Sequence, residues 1–201
     1  MALPMSEWAD QAAFKARVDQ VLHQFAQREA DRLVDIDAEL APVAEQLQVA
    51  TAHGKRLRAA FCYWGWRAAG QPDGDAVVRA AASMELVHAA AVVHDDLVDR
   101  SEVRHGLPSV HVALRGATAA GPRPKAAARS LAMLVGDLLM SWAGQLFTTS
   151  GLPAAHLSRT RPLWAVLARE LVEHLKKDYD VASTVPRSRR WTPPAPRVPH
   201  P

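Results

Sequence analysis

The sequence predicts an all-α fold, a bundle of six or seven helices, and three observations carry that prediction. Apolar residues recur at helical spacing along several long stretches. Strict apolar/polar alternation, the mark of a half-buried strand, runs over no useful length. Alanine is abundant and β-branched runs are few, so propensity agrees with periodicity. The chain has 201 residues, 49% hydrophobic and 22% charged, which is material for one domain with a sizeable core.

Phe14, Val18, Val21, Leu22 and Phe25 share one face of a first helix. Leu33, Ile36, Leu40, Val43 and Leu47 continue the pattern in a second, which Pro42 is expected to kink or divide. A third runs over residues 55–69 and stops at the breaker cluster Gly70-Gln71-Pro72-Asp73-Gly74. Asp75 is suited to cap a fourth, which extends to about residue 98. Residues 101–108 read as a loop, with a short helix from Ser109. Gly121-Pro122-Arg123-Pro124 breaks that helix. Long helices over residues 126–147 and 153–177, the latter with Pro162 in its first turns, complete the bundle.

The helical domain is therefore placed at residues 1–182. Residues 183–201 hold six prolines, four arginines and no acid, and are expected to be a disordered, solvated tail. That tail also explains the charge: the net value is +3 and the pI near 9.3, yet the rest of the chain is close to neutral. Nothing along the helical body reads as a nucleic-acid surface, and an RNA- or DNA-binding role would rest on the tail alone. A single cysteine, Cys62, excludes an intramolecular disulfide and fits a cytoplasmic location. Glu7, Asp10 and Lys15 interrupt any early apolar run, so no signal peptide is expected at the start. The apolar stretch over residues 131–147 is broken by Asp137, Ser141 and Gln145 and reads as a buried helix, not a transmembrane segment.

Three clusters bear on chemistry. In His94-Asp95-Asp96-Leu97-Val98-Asp99, Asp95 and Asp99 stand four residues apart, so their carboxylates share a helix face and repel. A solvated acidic helix end would explain them, but acids at a helix C-terminus oppose the dipole. Mg²⁺ would relieve the repulsion, since it takes one or two carboxylates together with substrate phosphates. In Gly54-Lys55-Arg56-Leu57-Arg58, three cations crowd a helix N-terminus, where a bound phosphate would offset them. Lys55 and Arg58, three apart, are expected to point at one ligand. Alone, the cluster is a solvated basic turn. The third is Arg104-His105-Gly106-Leu107-Pro108-Ser109-Val110-His111, whose Arg104 suits bidentate contact with a diphosphate. His88 lies two turns before Asp95 on nearly the same face; alone it would be a core histidine.

In this order the clusters resemble the trans-polyprenyl diphosphate synthase (polyprenyl synthetase) family. His53 to Ala59, HGKRLRA, looks like its GGKRxRP motif. ELVHAAAVVHDDLVD, from Glu85 to Asp99, looks like its first aspartate-rich region. RHGLPSVH, from Arg104, resembles its RRGxPxxH segment, and Val135-Gly136-Asp137-Leu138-Leu139 its GD-containing helix. The resemblance covers about residues 54–170. A terpene cyclase shares the aspartates but is not expected to carry the GKRLR and RHGLP blocks.

The resemblance implies a helical bundle of the isoprenoid synthase type and a Mg²⁺-dependent prenyltransferase. Asp95 and Asp99 would hold Mg²⁺ against an allylic diphosphate. Asp95, Asp96, Asp99 and Arg104 would form the catalytic group, and Lys55, Arg58, His88, Arg104 and His105 would bind substrate diphosphates, isopentenyl diphosphate among them. The protein would act as a homodimer or paired with a homologue. Departures from the pattern are His105 for the second arginine, and His53 and Ala59 for the first glycine and the closing proline. No second aspartate-rich motif follows Asp99; Asp178 and Asp180 lack the pattern. The chain therefore reads as the family's first half, truncated, with an incomplete fold and slow or no turnover alone. The other reading is a non-catalytic helical subunit that binds diphosphate or pairs with a full-length homologue. Ala91 and Ala90, one turn below Asp95, leave the cavity open at that level, which implies products longer than farnesyl, with Val87 and Met84 deeper.

Overall fold

The computed structural model describes the backbone of residues 5–178 and the side-chain surroundings of residues 11–173. The described chain forms seven α-helices and one small hairpin: α1 (Met5–Ile36), α2 (Ala41–Ala52), α3 (Leu57–Ala68), α4 (Asp75–Val98), β1 (Val103–Arg104), β2 (Leu107–Pro108), α5 (Val110–Ala113), α6 (Pro124–Thr148) and α7 (Ala154–Asp178). The fold is all-α, as the periodicity requires. The tail at 183–201, the domain boundary at 182 and Asp180 lie outside the described residues.

Helix α4 is the axis of the bundle, in contact with every other helix. Its sequence explains this. Apolar residues occur on all its sides, and a helix apolar all round must be buried. Ala80, Ala81, Ala82, Ala89 and Ala90 are buried and, being small, admit close neighbours. Helix α6 answers with a small-residue line at four-residue spacing, Ala128, Ala132 and Gly136, and packs along α4 more extensively than any other element. Leu86, Leu139 and Leu146 are fully buried in that core, each worth about 2 kcal/mol in apolar area removed from water. Both α4 and α6 are long and apolar enough to cross a membrane, with mean hydropathies of 1.5 and 1.3, but 67% and 44% of those windows are buried in the bundle. Helix α1 ties the flanks together: Phe14 stacks on Tyr63 of α3 at 4.4 Å, and Phe25 meets Trp142 of α6 edge-on at 5.9 Å.

Several boundaries differ from the sequence expectation. The first helix does not stop before Leu33; it runs on to Ile36, which is 77% exposed and outside the core. The break falls at Asp37, whose Oδ1 accepts the Glu39 N–H at 2.9 Å and caps a single 3-10 turn, Ala38–Leu40. Pro42 then sits in the first turn of α2, where its missing N–H costs nothing, so it starts a helix instead of kinking one. Gly74, not Asp75, is the N-cap of α4; Arg17 of α1 pairs with Asp73 and Asp75 there. Pro162 lies inside α7.

The segment read as a loop is an antiparallel hairpin, with Arg104 opposite Leu107 and Val103 opposite Pro108. Its two turn residues, His105 and Gly106, have φ of 52° and 80°. Positive φ at both central positions is the pattern of a type I′ turn, whose twist matches the strands. Histidine is among the residues that tolerate this region, so His105 suits the turn.

Candidate functional site

The site assembles where the C-terminus of α4, the hairpin and the N-terminus of α3 meet. Asp95 and Asp99 stand on consecutive turns, with the Asp99 N–H donating to Asp95 O at 2.9 Å. Asp99 is the exposed C-cap, and its Oδ1 accepts the Ser101 N–H at 2.8 Å. Asp96 turns inward and is 3% exposed. Arg104 reaches back from β1 to this helix end. Its Nε and Nη2 donate to Asp96 Oδ1 at 2.9 and 2.5 Å, and Nη2 also reaches Asp95 Oδ2 at 3.1 Å. Burial pushes the Asp96 carboxyl above the usual carboxylate range, and the nearby Asp99 and Asp95 add to it, while the bonds to Arg104 oppose it. The Arg104 pKa is raised, first by the bond to Asp96, so its charge is secure.

The basic cluster splits into two kinds of residue. Helix α3 begins at Leu57, not at Lys55, and Arg56 is its N-cap in the left-handed region at φ 57°. Arg56 is 5% exposed, and although it borders the smaller cavity described below its guanidinium is committed to the protein. Its Nε donates to Asp19 Oδ1 at 2.6 Å, and its other nitrogens donate to the carbonyls of Thr51, Ala52 and His53 at the end of α2. Lys55 precedes the helix, so Lys55 and Arg58 do not share a helix face; Lys55 is exposed and lines neither cavity described below. His53 is extended, with φ −121°, and the positive φ falls on Gly54. The histidine replacing a glycine is therefore unstrained. Glu85 of α4, 6% exposed, accepts the Ala59 N–H at 2.9 Å and fixes the start of α3 from below. No local pattern revealed the roles of Arg56 and Glu85, because Asp19 and Ala59 lie 37 and 26 residues from them along the chain.

A groove of about 610 Å³ opens between α3, α4 and α7. Asp95, Arg104, Arg58 and His88 stand along its polar part, with Glu170 of α7 across from them. Met84, Val87 and Ala91 of α4, Phe61 of α3 and Leu167 and Leu171 of α7 form its apolar walls. A smaller cavity of about 110 Å³ lies behind, between α2, α4 and the hairpin, bordered by Gln46, Glu85, His88, Asp96, Arg104 and His105. His88 and Arg104 face both spaces. Burial, then the charge of Arg58, with His105 and Arg104 adding, hold the His88 pKa below its ordinary value, while Glu85 opposes them. Of the two alanines expected below Asp95, only Ala91 lines the groove. Ala90 is 0% exposed in the core, because five residues from Asp95 is a different helix face.

The donor set suits Mg²⁺: two carboxylates on successive turns offer hard oxygens, and Mg²⁺ fills the rest of its shell with phosphate and water. Among the described residues no three His, Cys, Asp or Glu side chains converge into a closed metal cage.

Residues 41–182 match the family profile of polyprenyl synthetases. The chain belongs to the polyprenyl synthetase family. Relatives in it include the short chain isoprenyl diphosphate synthase of Methanothermobacter thermautotrophicus, 29% identical over 134 residues, which are 65% of this chain and 37% of that one. The heptaprenyl diphosphate synthase component 2 of Geobacillus stearothermophilus is 30% identical over 145 residues, 72% of this chain and 41% of that one. Among solved structures, geranylgeranyl pyrophosphate synthase from Corynebacterium glutamicum, complexed with isoprenyl diphosphate and magnesium, superimposes with a TM-score of 0.69 at 31% identity. That match covers 76% of this chain and 45% of the other. This polyprenyl synthetase chain thus spans less than half the length of these relatives.

Proposed function

We propose that this chain carries the Mg²⁺–diphosphate side of a prenyl diphosphate synthase, condensing isopentenyl diphosphate with an allylic diphosphate to a polyprenyl diphosphate. One observation carries the reading: Asp95, Arg104, Arg58 and His88 border the same groove, and Phe61, Met84, Val87, Ala91, Leu167 and Leu171 give it an apolar stretch suited to a prenyl chain. Asp95 and Asp99 would hold Mg²⁺, which supplies positive charge against the departing diphosphate. Arg104 adds a guanidinium beside the same anion. Arg58 and His88 are the groove residues for the second diphosphate; of the other two expected there, His105 borders the smaller cavity and Lys55 neither. Apolar walls shield the carbocation that ionisation would leave, the double bond of isopentenyl diphosphate would attack it, and loss of a proton from the resulting cation would complete the product. Family membership and the magnesium-bound relative support this reading.

The chain is also proposed to work with a partner, a second copy or a homologue. Relatives from Geobacillus stearothermophilus and Bacillus subtilis are named as component 2 of a heptaprenyl diphosphate synthase. Leu57, Phe61 and Trp64 form an exposed apolar stripe along α3, with Phe61 78% exposed. A cytoplasmic location goes with this reading.

Calorimetry with geranyl diphosphate tests the site. Binding should be at least about tenfold tighter with Mg²⁺ than with EDTA, a difference of about 1.4 kcal/mol. Asp95→Asn with Asp99→Asn should erase the difference. Equal binding with and without the metal would overturn the metal assignment. Isotope incorporation from isopentenyl diphosphate, with and without a full-length relative, tests turnover.

A further inference from the structure

Asp96 is the middle member of the acidic motif, yet the fold treats it unlike its neighbours. Asp95 borders the open groove and Asp99 is exposed, whereas Asp96 is buried and faces the smaller cavity behind. A carboxylate so buried persists as a charge only when it is paired. Its partner is Arg104, which gives two of its donors, Nε and Nη2, to one oxygen of Asp96 and only one, Nη2, to Asp95. The Nη1 donors bond to neither aspartate. The hairpin beneath is equally committed: Arg104 pairs with Leu107 across a tight two-residue turn, and the Ser109 N–H donates to Glu102 O at 3.0 Å, so the backbone of Arg104 is fixed at both ends. The side chain spans the wall between the two cavities, gripped from behind and open toward the groove.

We infer that Asp96 is a positioning residue: it contacts neither metal nor substrate, and it grips the Nε edge of Arg104 so that the guanidinium is held ready at the groove beside Asp95. The inference rests on the diphosphate reading above. When a metal-bound diphosphate takes over Asp95, Arg104 gives up one bond, to Asp95, and keeps its grip on Asp96. A pre-set guanidinium loses little freedom on binding, which is how such a buried partner raises affinity. Partners of this kind typically matter by roughly 10–100-fold in affinity or activity.

Calorimetry of the whole chain with geranyl diphosphate at saturating Mg²⁺ decides it, using Asp96→Asn, Arg104→Gln and the double variant. Each single variant should weaken binding by roughly 10–100-fold, and the double variant should be no weaker than Arg104→Gln, because Asp96 acts through Arg104. The Mg²⁺ concentration for half-maximal binding should stay unchanged in Asp96→Asn. Multiplicative losses in the double variant, or a shift in the Mg²⁺ requirement, would overturn the positioning role in favour of direct contact. Should Asp96→Asn not fold, Arg104→Lys replaces it: the charge stays but the Nε–H grip is lost. Arg104→Lys binding as weakly as Arg104→Gln is expected, and full binding overturns the proposal. Absence of binding by the unaltered chain overturns the diphosphate reading and this inference together. Binding that Asp96→Asn leaves untouched overturns the inference alone.

Discussion

A Cβ built on Gly136 of α6 would stand 2.2 Å from Nε2 of His94 on α4, and within 2.8 Å of two further ring atoms. The ring occupies the space that any side chain at 136 would need, and its Nε2 lies 3.3 Å from Met133 O and 3.5 Å from Asp137 Oδ1. This contact is where the two most extensively packed helices touch, one residue before Asp95.

Gly136→Ala should therefore destabilise the protein by about 1–3 kcal/mol through overpacking, although alanine is the better helix former by about 1 kcal/mol. In a His94→Ala background the same change should be neutral or stabilising. Urea unfolding of the four variants measures the coupling. Equal effects of Gly136→Ala in both backgrounds would show that the ring is not the obstacle.

Arg56 and its neighbours should respond in opposite ways. Arg56→Ala leaves three carbonyls at the end of α2 without their donor and Asp19 with Lys15 alone, an expected loss of about 1–3 kcal/mol. Lys55→Ala and Arg58→Ala, both at exposed positions, should stay within about 0.5 kcal/mol. Chemical denaturation gives all three values. A mild Arg56→Ala would mean that the cap is dispensable.

Ala91→Phe and Ala90→Phe should separate cleanly. Ala91 lines the groove, so phenylalanine there should leave the melting temperature nearly unchanged and, in an assembly that makes product, shorten the prenyl chain. Ala90 is enclosed, so phenylalanine there should cost about 1–3 kcal/mol or more. Melting curves and chromatography of products read the two effects. Unchanged products with Ala91→Phe would show that the growing chain runs elsewhere.

Stability should fall as the pH drops from 7.5 to 5.5. His111 is buried, its Nδ1 is 3.1 Å from Ser109 Oγ, and its pKa is depressed by burial first and by Arg129 and Arg115 next. His88 is depressed as well. A histidine depressed in the fold protonates first in the unfolded chain, near pH 6.5. Its contribution is present above that pH and is lost as the pH falls toward the folded value. His111→Asn, which keeps a hydrogen-bonding atom near Nδ1, should flatten the slope between these pH values. A melting temperature that is constant across the window would contradict this.

The sequence by itself determined the helical bundle, the family and the motif order. These are local properties: apolar spacing within each helix, breakers between helices, and short runs such as HDDLVD and GKRLR whose members are fixed by chain connectivity. It also located Asp95, Arg104, Arg58 and His88, which the fold brings to one groove. Tertiary structure decided what each member of a motif does. Arg56 and Arg58 look alike in the chain, but a left-handed residue at the N-cap turns one into a buried brace 37 residues from its aspartate and leaves the other at the groove. Asp95 and Asp96 are adjacent, but a 100° helical step sends one to the groove and the other into the core, to Arg104. Neighbours in sequence share composition; which of them are buried and paired depends on partners from distant segments, and those appear only once the helices have packed.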